Sequence, residues 1–360
     1  MIMAVPLLRR LVNAYGEGGV VVVVAGQVQQ RLLASIFGRG LTCWCRLDGK
    51  PLSQLRLLMR IVWRRFDICF APLISNKLIN KLFFLMTFTK VIFPSSSVDQ
   101  SIFGVRKGKF CLNGYAGHQV NYLINFVGSH GANIDVSTAS SNELIVSSPV
   151  VSKWSLSDEI VLAVGLSCGL AERHKIPKPR FFSQLVNALS QENTVRVFVF
   201  GTQADMPLIS DFESRIRGDI EVMKAIDEPV ADVISMLSRC DVGVVGTTGQ
   251  GHMMAAAGLP LLITAGVTEP YESGPYVSRA HVLKHGFPCA PCYQEAYRFG
   301  CGRIECMETL SPEIGAFEVI QLARGKSYGL SWLDGKVKSY PLPKIKINNI
   351  VSQLLDQRDC

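Results

Sequence analysis

The stretch that most constrains this chain is Asp241 to Pro275, DVGVVGTTGQGHMMAAAGLPLLITAGVTEPYESGP. An apolar strand over Val242 to Val245 runs into a Gly/Thr turn, a helix of small residues and a second strand over Leu261 to Thr264. Thr247 or Thr248 can cap that helix, and Gly258 ahead of Leu259 and Pro260 ends it. The first turn of such a helix has backbone N–H groups with no intrahelical acceptor and the positive end of the peptide dipoles. Small residues there let a ligand come close to the backbone, so the arrangement suits an anion such as phosphate. Taken alone, Gly249 and Gly251 can equally just make a tight turn, with His252 packed on the sheet.

The residues before it set the architecture. Strand-like runs at Ile160 to Gly165, Val195 to Phe200 and near Ile220 to Met223 alternate with helical spacings. These helices fall at Arg180 to Ser190, around Pro207 to Ile216, and at Val230, Val233, Ile234 and Leu237. This alternation predicts a doubly wound parallel sheet, with its ligand at the C-terminal ends of the strands. On that sheet Ser167 and Lys175 follow the first strand, in GLSCGLAERHKIPKPRFF, opposite the Thr248 turn. Lys175 could meet a diphosphate as a point charge and Ser167 could donate a hydrogen bond to it, or both could be ordinary solvated loop residues. Gly201 to Gln203 and Ala225 to Asp227 are the loops placed for a base or ribose, with Asp227 either a ribose partner or a plain surface carboxylate.

The pattern resembles glycosyltransferase family 9, the ADP-heptose:lipopolysaccharide heptosyltransferase group. That family's signature runs D-S/T-G-x-x-H, small residues, G-x-P, a strand, then F-G-x-T-x-P ahead of G-P. Thr248, Gly249, His252, Gly258, Pro260, Gly266, Thr268, Pro270, Gly274 and Pro275 match it in register, while Thr247 stands where the family has aspartate. Lys175-x-Pro177-x-x-Arg180-Phe181 is similar to a second family segment. The resemblance covers about 150–315 and thins over 1–130.

It implies an α/β protein of GT-B-like fold, two Rossmann-like αβ domains facing a central cleft. Residues 1–150 would be the acceptor side, 151–335 the nucleotide-sugar domain and 336–360 a tail and helix. The reaction implied is inverting transfer of a heptose or related hexose from a nucleoside-diphosphate donor such as ADP-heptose. The acceptor implied is a lipopolysaccharide core or another surface glycan, and no catalytic metal is needed. Donor-diphosphate residues are then Ser167, Lys175, Thr247, Thr248, Gly249 and His252; Gly201 and Asp227 are nucleoside-proximal; Ser75, Asn76 and His118 lie on the acceptor side. Ser75 and Asn76 could instead be turn formers, and His118, at the start of a helix carrying Gln119, Tyr122, Leu123 and Phe126, a satisfied structural histidine. The family's first strand leads into a Gly-Asp loop whose aspartate serves as base. No counterpart precedes the helix expected over Ala4 to Tyr15, so the chain as given is expected to bind donor better than it turns it over. The rival expectation is a non-catalytic relative that binds a nucleotide sugar or a partner protein.

Composition narrows the setting. With 360 residues, 48% of them hydrophobic, the chain can build two cores. No run approaches the roughly 18 apolar residues of a membrane-spanning helix. The start lacks the order of a signal peptide, so a cytoplasmic protein is expected, with peripheral contact at the inner membrane face as an option. Eleven cysteines in that setting argue for thiols or a metal site. Cys289, Cys292, Cys301 and Cys306 have a spacing that could hold structural zinc or iron tetrahedrally, or stay as free thiols or a disulfide.

The net charge of +8 is uneven: residues 1–110 hold 16 Lys/Arg against 4 Asp/Glu, and the remaining 250 hold 21 against 25. A basic first third suits an anionic glycolipid acceptor or membrane surface, or is a solvated surface with no ligand. Nucleic acid is not expected, for want of a binding motif. If the charge does select the partner, sedimentation with anionic vesicles should fall steeply with salt, since exposed charges are screened within about 8 to 10 Å at physiological ionic strength. Equal binding to neutral and anionic vesicles would sink that reading.

Overall fold

Runs of β-branched and aromatic residues, too short and too apolar to be amphipathic helices, become strands, and the polar-faced segments between them become helices. The computed structural model describes residues 2–45 except 17, 25, 39 and 40; within 56–108 it describes 56–57, 59–60, 63–64, 66, 68–70, 90–94 and 106–108. It further describes 118–146 except 130, 152–287 except 156 and 157, 290–291, and 304–325. The chain divides into two units, Met1–Glu143 and Leu144–Cys360.

In the first unit α1 (Val5–Tyr15) is followed by β1 (Val21–Val24), α2 (Gln27–Phe37) and β2 (Thr42–Cys45). Then come β3 (Ile68–Phe70), β4 (Lys90–Pro94), β5 (Arg106–Gly108) and α3 (Gln119–Ser129). β1 and β2 pair in parallel, Val21 opposite Thr42, and β3, β4 and β5 form a second parallel sheet. Leu8, Val20, Val24, Leu33 and Leu41 make one buried cluster, and α3 buries Val120, Leu123, Ile124, Phe126 and Val127. α2 begins at Gln27, directly behind the extended Gly26.

A polar staple fixes the stretch that ends this unit. Arg10, on α1, donates from Nε and Nη2 to the two carboxylate oxygens of Glu143 at 2.9 and 2.8 Å. Its Nη1 donates to the carbonyls of Asp135 and Ser137, both at 2.7 Å. The fork geometry of a guanidinium allows all four bonds at once, which a lysine could not make.

The second unit holds one parallel sheet of six strands: β6 (Glu159–Val164), β7 (Thr194–Gly201), β8 (Val222–Ile226), β9 (Val242–Gly246), β10 (Leu261–Thr264) and β11 (Ala280–Leu283). Helices α4 (Pro179–Leu189), α5 (Met206–Glu213), α6 (Val230–Leu237), α7 (Gly249–Ala256), α8 (Pro270–Ser273), α9 (Glu305–Glu308) and α10 (Pro312–Ala323) connect and cover it. The spatial order β11-β10-β9-β6-β7-β8 means that the chain works outward from β6 to one edge, then returns to start again at β9 beside it. β9 and β10 are buried along their whole length, as a doubly covered parallel sheet requires. Phe182, Leu185 and Leu189 of α4 are fully buried among Val164, Val197 and Val199, where each such side chain contributes about 1.5 to 3 kcal/mol.

One expectation needs correcting. The strand near Ile220 to Met223 lies over Val222–Ile226, because Gly218 at φ 78 turns the chain first and register with β7 begins at Val222 opposite Val197. β11 and α10 are elements that sequence reasoning did not find. The tail and helix expected over 336–360 lie outside the described residues.

Arg10 offers a direct test. Its hydrogen bonds to Glu143 hold that carboxyl below its ordinary value against the opposing effect of partial burial. A carboxylate depressed in the folded state adds stability that is present above the unfolded value, about 4.3, and is lost as the pH falls below it. Arg10→Met should therefore cost about 1.5 to 3 kcal/mol at pH 7 in denaturant unfolding, and less at pH 3. Glu143→Gln should flatten the acid limb of the stability curve; an unchanged pH profile would contradict the assignment.

Candidate functional site

The order of the strands reverses between β6 and β9, and the carboxyl ends of strands at such a reversal are where α/β sheets bind ligands. β9 ends at Gly246 and turns through Thr247 and Thr248 into α7, whose first helical residue is Gly249. Beside it the loop after β6 passes Ser167 and closes in a 3-10 turn, Leu170–Lys175. The structure thus brings together Ser167, Lys175, Thr247, Thr248 and Gly249. Gly246 is the point of closest approach: a Cβ there would stand 2.5 Å from the Lys175 carbonyl oxygen and 2.5 Å from Ile176 Cγ2.

The threonines act differently from the sequence expectation. Thr248 occupies the N-cap position of α7 with extended backbone, φ −130° and ψ 174°, but its side chain makes no capping hydrogen bond. Its hydroxyl is only 2% exposed as a residue and has no hydrogen-bond partner among the described residues. A buried hydroxyl without a partner costs about 1 to 3 kcal/mol, which an incoming acceptor would recover. Thr247 does not cap either; its Oγ1 forms a short hydrogen bond with Thr268 Oγ1 from the loop after β10. The first turn of α7 is therefore without a side-chain cap from either threonine. His252 lies one turn into α7, its N–H donating to the Thr248 carbonyl.

Lys175 is buried, and its Nζ pairs with Glu172 Oε1 at 2.6 Å across the 3-10 turn. Next to it, burial and then the Lys175 charge push His174 below its ordinary value, so it is neutral at pH 7. Burial, with the Glu172 charge second, pushes the Cys168 thiol up to about 11, which keeps it a protonated thiol at neutral pH.

Two further strand ends come together on the far side of β7. The Asp227 N–H donates to the Gly201 carbonyl at 2.9 Å, and Asp227 Oδ1 accepts from the Gln203 N–H at 3.3 Å. Asp227 has φ 56°, a left-handed conformation that aspartate tolerates better than most residues. Gln250 is the residue that sequence reasoning missed: buried in the first turn of α7, it spans the ends of β6 and β7 through both ends of its amide.

The remaining candidates fall elsewhere. His118, in the first unit, is buried, and its Nδ1 accepts from the Val120 N–H at 3.2 Å, so it caps α3. Ser75 and Asn76 lie outside the described residues, as do Cys289, Cys292 and Cys301. Cys306 is a buried thiol in the core of the second unit. Among the described residues no cluster of three or more His, Cys, Asp and Glu is placed to hold a metal ion, and no helix is long and apolar enough to cross a membrane.

The glycines of the turn separate packing from access. Gly246→Ala must displace the Lys175 backbone and should lower the thermal midpoint by several degrees, as overpacking costs about 1 to 3 kcal/mol. Gly249, with nothing within 4 Å of an added Cβ, should accept alanine with its midpoint unchanged. Equal melting of the two variants would refute this account of the turn.

No family model matches this sequence, and no curated protein matches it. Solved structures do match in shape. The E. coli ADP-heptose lipopolysaccharide heptosyltransferase II superposes with a TM-score of 0.65 at 13% identity, over 91% of this chain and 96% of that one. A family 9 glycosyl transferase from Veillonella parvula gives 0.66 at 14% identity, over 90% and 94%. The E. coli heptosyltransferase WaaC, solved with ADP, gives 0.57 at 14% identity, over 78% and 88%. At such identities the likeness is one of fold, and it extends along nearly the whole chain: this protein has the GT-B-like αβ fold shared by the heptosyltransferases of glycosyltransferase family 9.

Proposed function

We propose that this protein is a glycosyltransferase that moves a heptose or related hexose, with inversion, from a nucleoside-diphosphate donor to a lipopolysaccharide core or other surface-glycan acceptor. The observation that carries the reading is the uncapped first turn of α7 at the strand reversal, with the Thr248 hydroxyl buried beside it and without a hydrogen-bond partner among the described residues. Diphosphate oxygens would accept from the first-turn amides and from Thr248, with the hydroxyl of Ser167 and the ammonium of Lys175 alongside. His252 would stand one turn behind them. In the reaction the acceptor hydroxyl gives its proton to a general base and attacks the anomeric carbon opposite the diphosphate. Charge then develops on the leaving diphosphate, where fixed amides, the helix dipole and Lys175 stabilise it. Gly201 and Asp227 would meet the nucleoside. The basic first unit would be the acceptor side, with Ser75, Asn76 and His118 as its candidates and peripheral contact with an anionic membrane as its setting.

ADP is the first nucleotide to try, since WaaC, similar in fold, was solved with it. A second reading, a relative that holds the nucleotide sugar without transferring it, is favoured by one feature: Thr247 in place of the family's aspartate, its hydroxyl committed to Thr268. Release of free diphosphate in the presence of acceptor separates the two.

Calorimetry with ADP and UDP in the presence of a chelator should show binding to one of them. Lys175→Ala should weaken it by about 1.5 to 3 kcal/mol, the worth of a hydrogen bond to a charged group. Binding that needs magnesium, or an unchanged affinity in the variant, would remove the diphosphate from this site.

A further inference from the structure

We propose that Gln250 is a positioning residue of the donor site, one that sets the backbone of Ser167 and so the loop that carries Lys175. The inference rests on the reading of the strand ends at the β6–β9 reversal as the diphosphate site. A primary amide loses hydration on both its ends when buried, so a glutamine at 8% exposure is stable only if donor and acceptor are both used. Both are. Nε2 donates to the carbonyl of Phe200, near the end of β7, at 2.6 Å. Oε1 accepts from the N–H of Ser167, in the loop after β6, at 2.9 Å. Because the side chain springs from the helix that follows β9, one amide fixes three successive strand ends relative to one another. The fit is close, since a Cβ on Gly165 would already lie 3.3 Å from Oε1.

Two consequences follow for a bound anion. The Ser167 amide is used by Gln250, which leaves the Ser167 hydroxyl as the group that can donate to a phosphate oxygen. In addition, the Phe200 carbonyl is capped by an N–H, so its partial negative charge is offset where an anion is to bind.

The test uses the full chain and ADP, with UDP in parallel. Gln250→Met keeps the length and removes both hydrogen bonds; it should weaken nucleotide binding about tenfold or more, since about 1.4 kcal/mol is a factor of ten. Ser167→Ala should weaken binding severalfold in the wild-type background and by less than about twofold in the Gln250→Met background, because residues that act through one another are not additive. Gln250→Glu keeps the acceptor for the Ser167 N–H but faces the Phe200 carbonyl with a carboxylate. Its loop should retain slow amide exchange at Ser167; if Gln250→Met does not fold, Gln250→Asn, one methylene too short to reach both partners, should show faster exchange at Ser167 together with weaker nucleotide binding, and normal affinity with fast exchange would overturn the positioning role. A purely structural glutamine would lower the melting temperature and leave affinity alone. Wild-type binding with an unchanged Gln250→Met affinity, or with independent effects of the two substitutions, would overturn the positioning role only. Failure of the wild type to bind either nucleotide would overturn the diphosphate reading and this inference with it.

Discussion

The hydrogen-bonded junction of β6 and β9 is the constraint on which the second unit depends. Leu162, Ala163 and Val164 pair with Val242, Gly243 and Val244, and every other strand is added outward from that pair. The two ends of the junction differ. At the N-terminal end Asp241 closes it: its N–H donates to the Val161 carbonyl, its Oδ2 accepts from the Val161 N–H, and its Oδ1 accepts from Ser155. Lys153 adds bonds to the carbonyls of Ser238 and Cys240. At the C-terminal end the loops after β6 and β9 stay in contact, with Gly246 against Lys175 and Ile176 and the Gln250 amide on the Ser167 N–H, while Thr247 turns to Thr268. Polar side chains that take no part in the sheet thus collect at the carboxyl ends of the strands, the end at which α/β sheets bind their ligands.

How much of this could be read from the sequence depends on the range of the forces concerned. β9 and β10 were legible because an unbroken apolar run next to a glycine turn leaves the chain few choices, and Leu261 to Thr264 forms the strand expected of it. The helix stop at Gly258 was legible for a similarly local reason, its φ of 77°. β11 was not legible, since AHVL carries a histidine in a four-residue run and becomes a strand only by pairing with β10. α10 did leave a local mark in Ser311-Pro312, where the serine hydroxyl accepts from the Ile314 N–H in an N-cap followed by proline. Gln250 shows the limit most clearly: its partners are 83 and 50 residues away, so nothing nearby in the chain marks it as more than a polar helix residue. The threonines failed for the opposite reason. Local capping rules pointed at them, and the tertiary position of Thr268 drew the hydroxyl of Thr247 away.

Charge counting is subject to the same limit in the first unit. The excess of cations over residues 1–110 treats each as a surface charge, but the Arg10 side chain is only 10% exposed and its donors are spent on Glu143 and two backbone carbonyls. One of the cations that suggested an anionic partner is thus part of the architecture. Arg56, Arg60 and Arg64 are exposed, and the electrostatic argument for this unit belongs to residues of that kind.

Thr247, where the pattern it resembles has aspartate, would change the electrostatics of the proposed site as well as its hydrogen bonding. A carboxylate about 5 Å from a phosphate repels it by roughly 3 kcal/mol at an effective dielectric constant near 20. An aspartate at this position therefore has to be compensated by cations or by a proton. Threonine removes that repulsion, and its hydroxyl, held by Thr268, ties the loop after β10 to the turn that opens α7. On the proposed reading, a turn with no carboxylate at 247 would hold an anion on the amides of α7, the Thr248 hydroxyl and the Lys175 ammonium, whose Nζ pairs with Glu172. Binding and turnover then need not change together. Removal of a nearby negative charge would ease the bound diphosphate and the charge that develops on it alike, whereas turnover also requires a base for the acceptor hydroxyl.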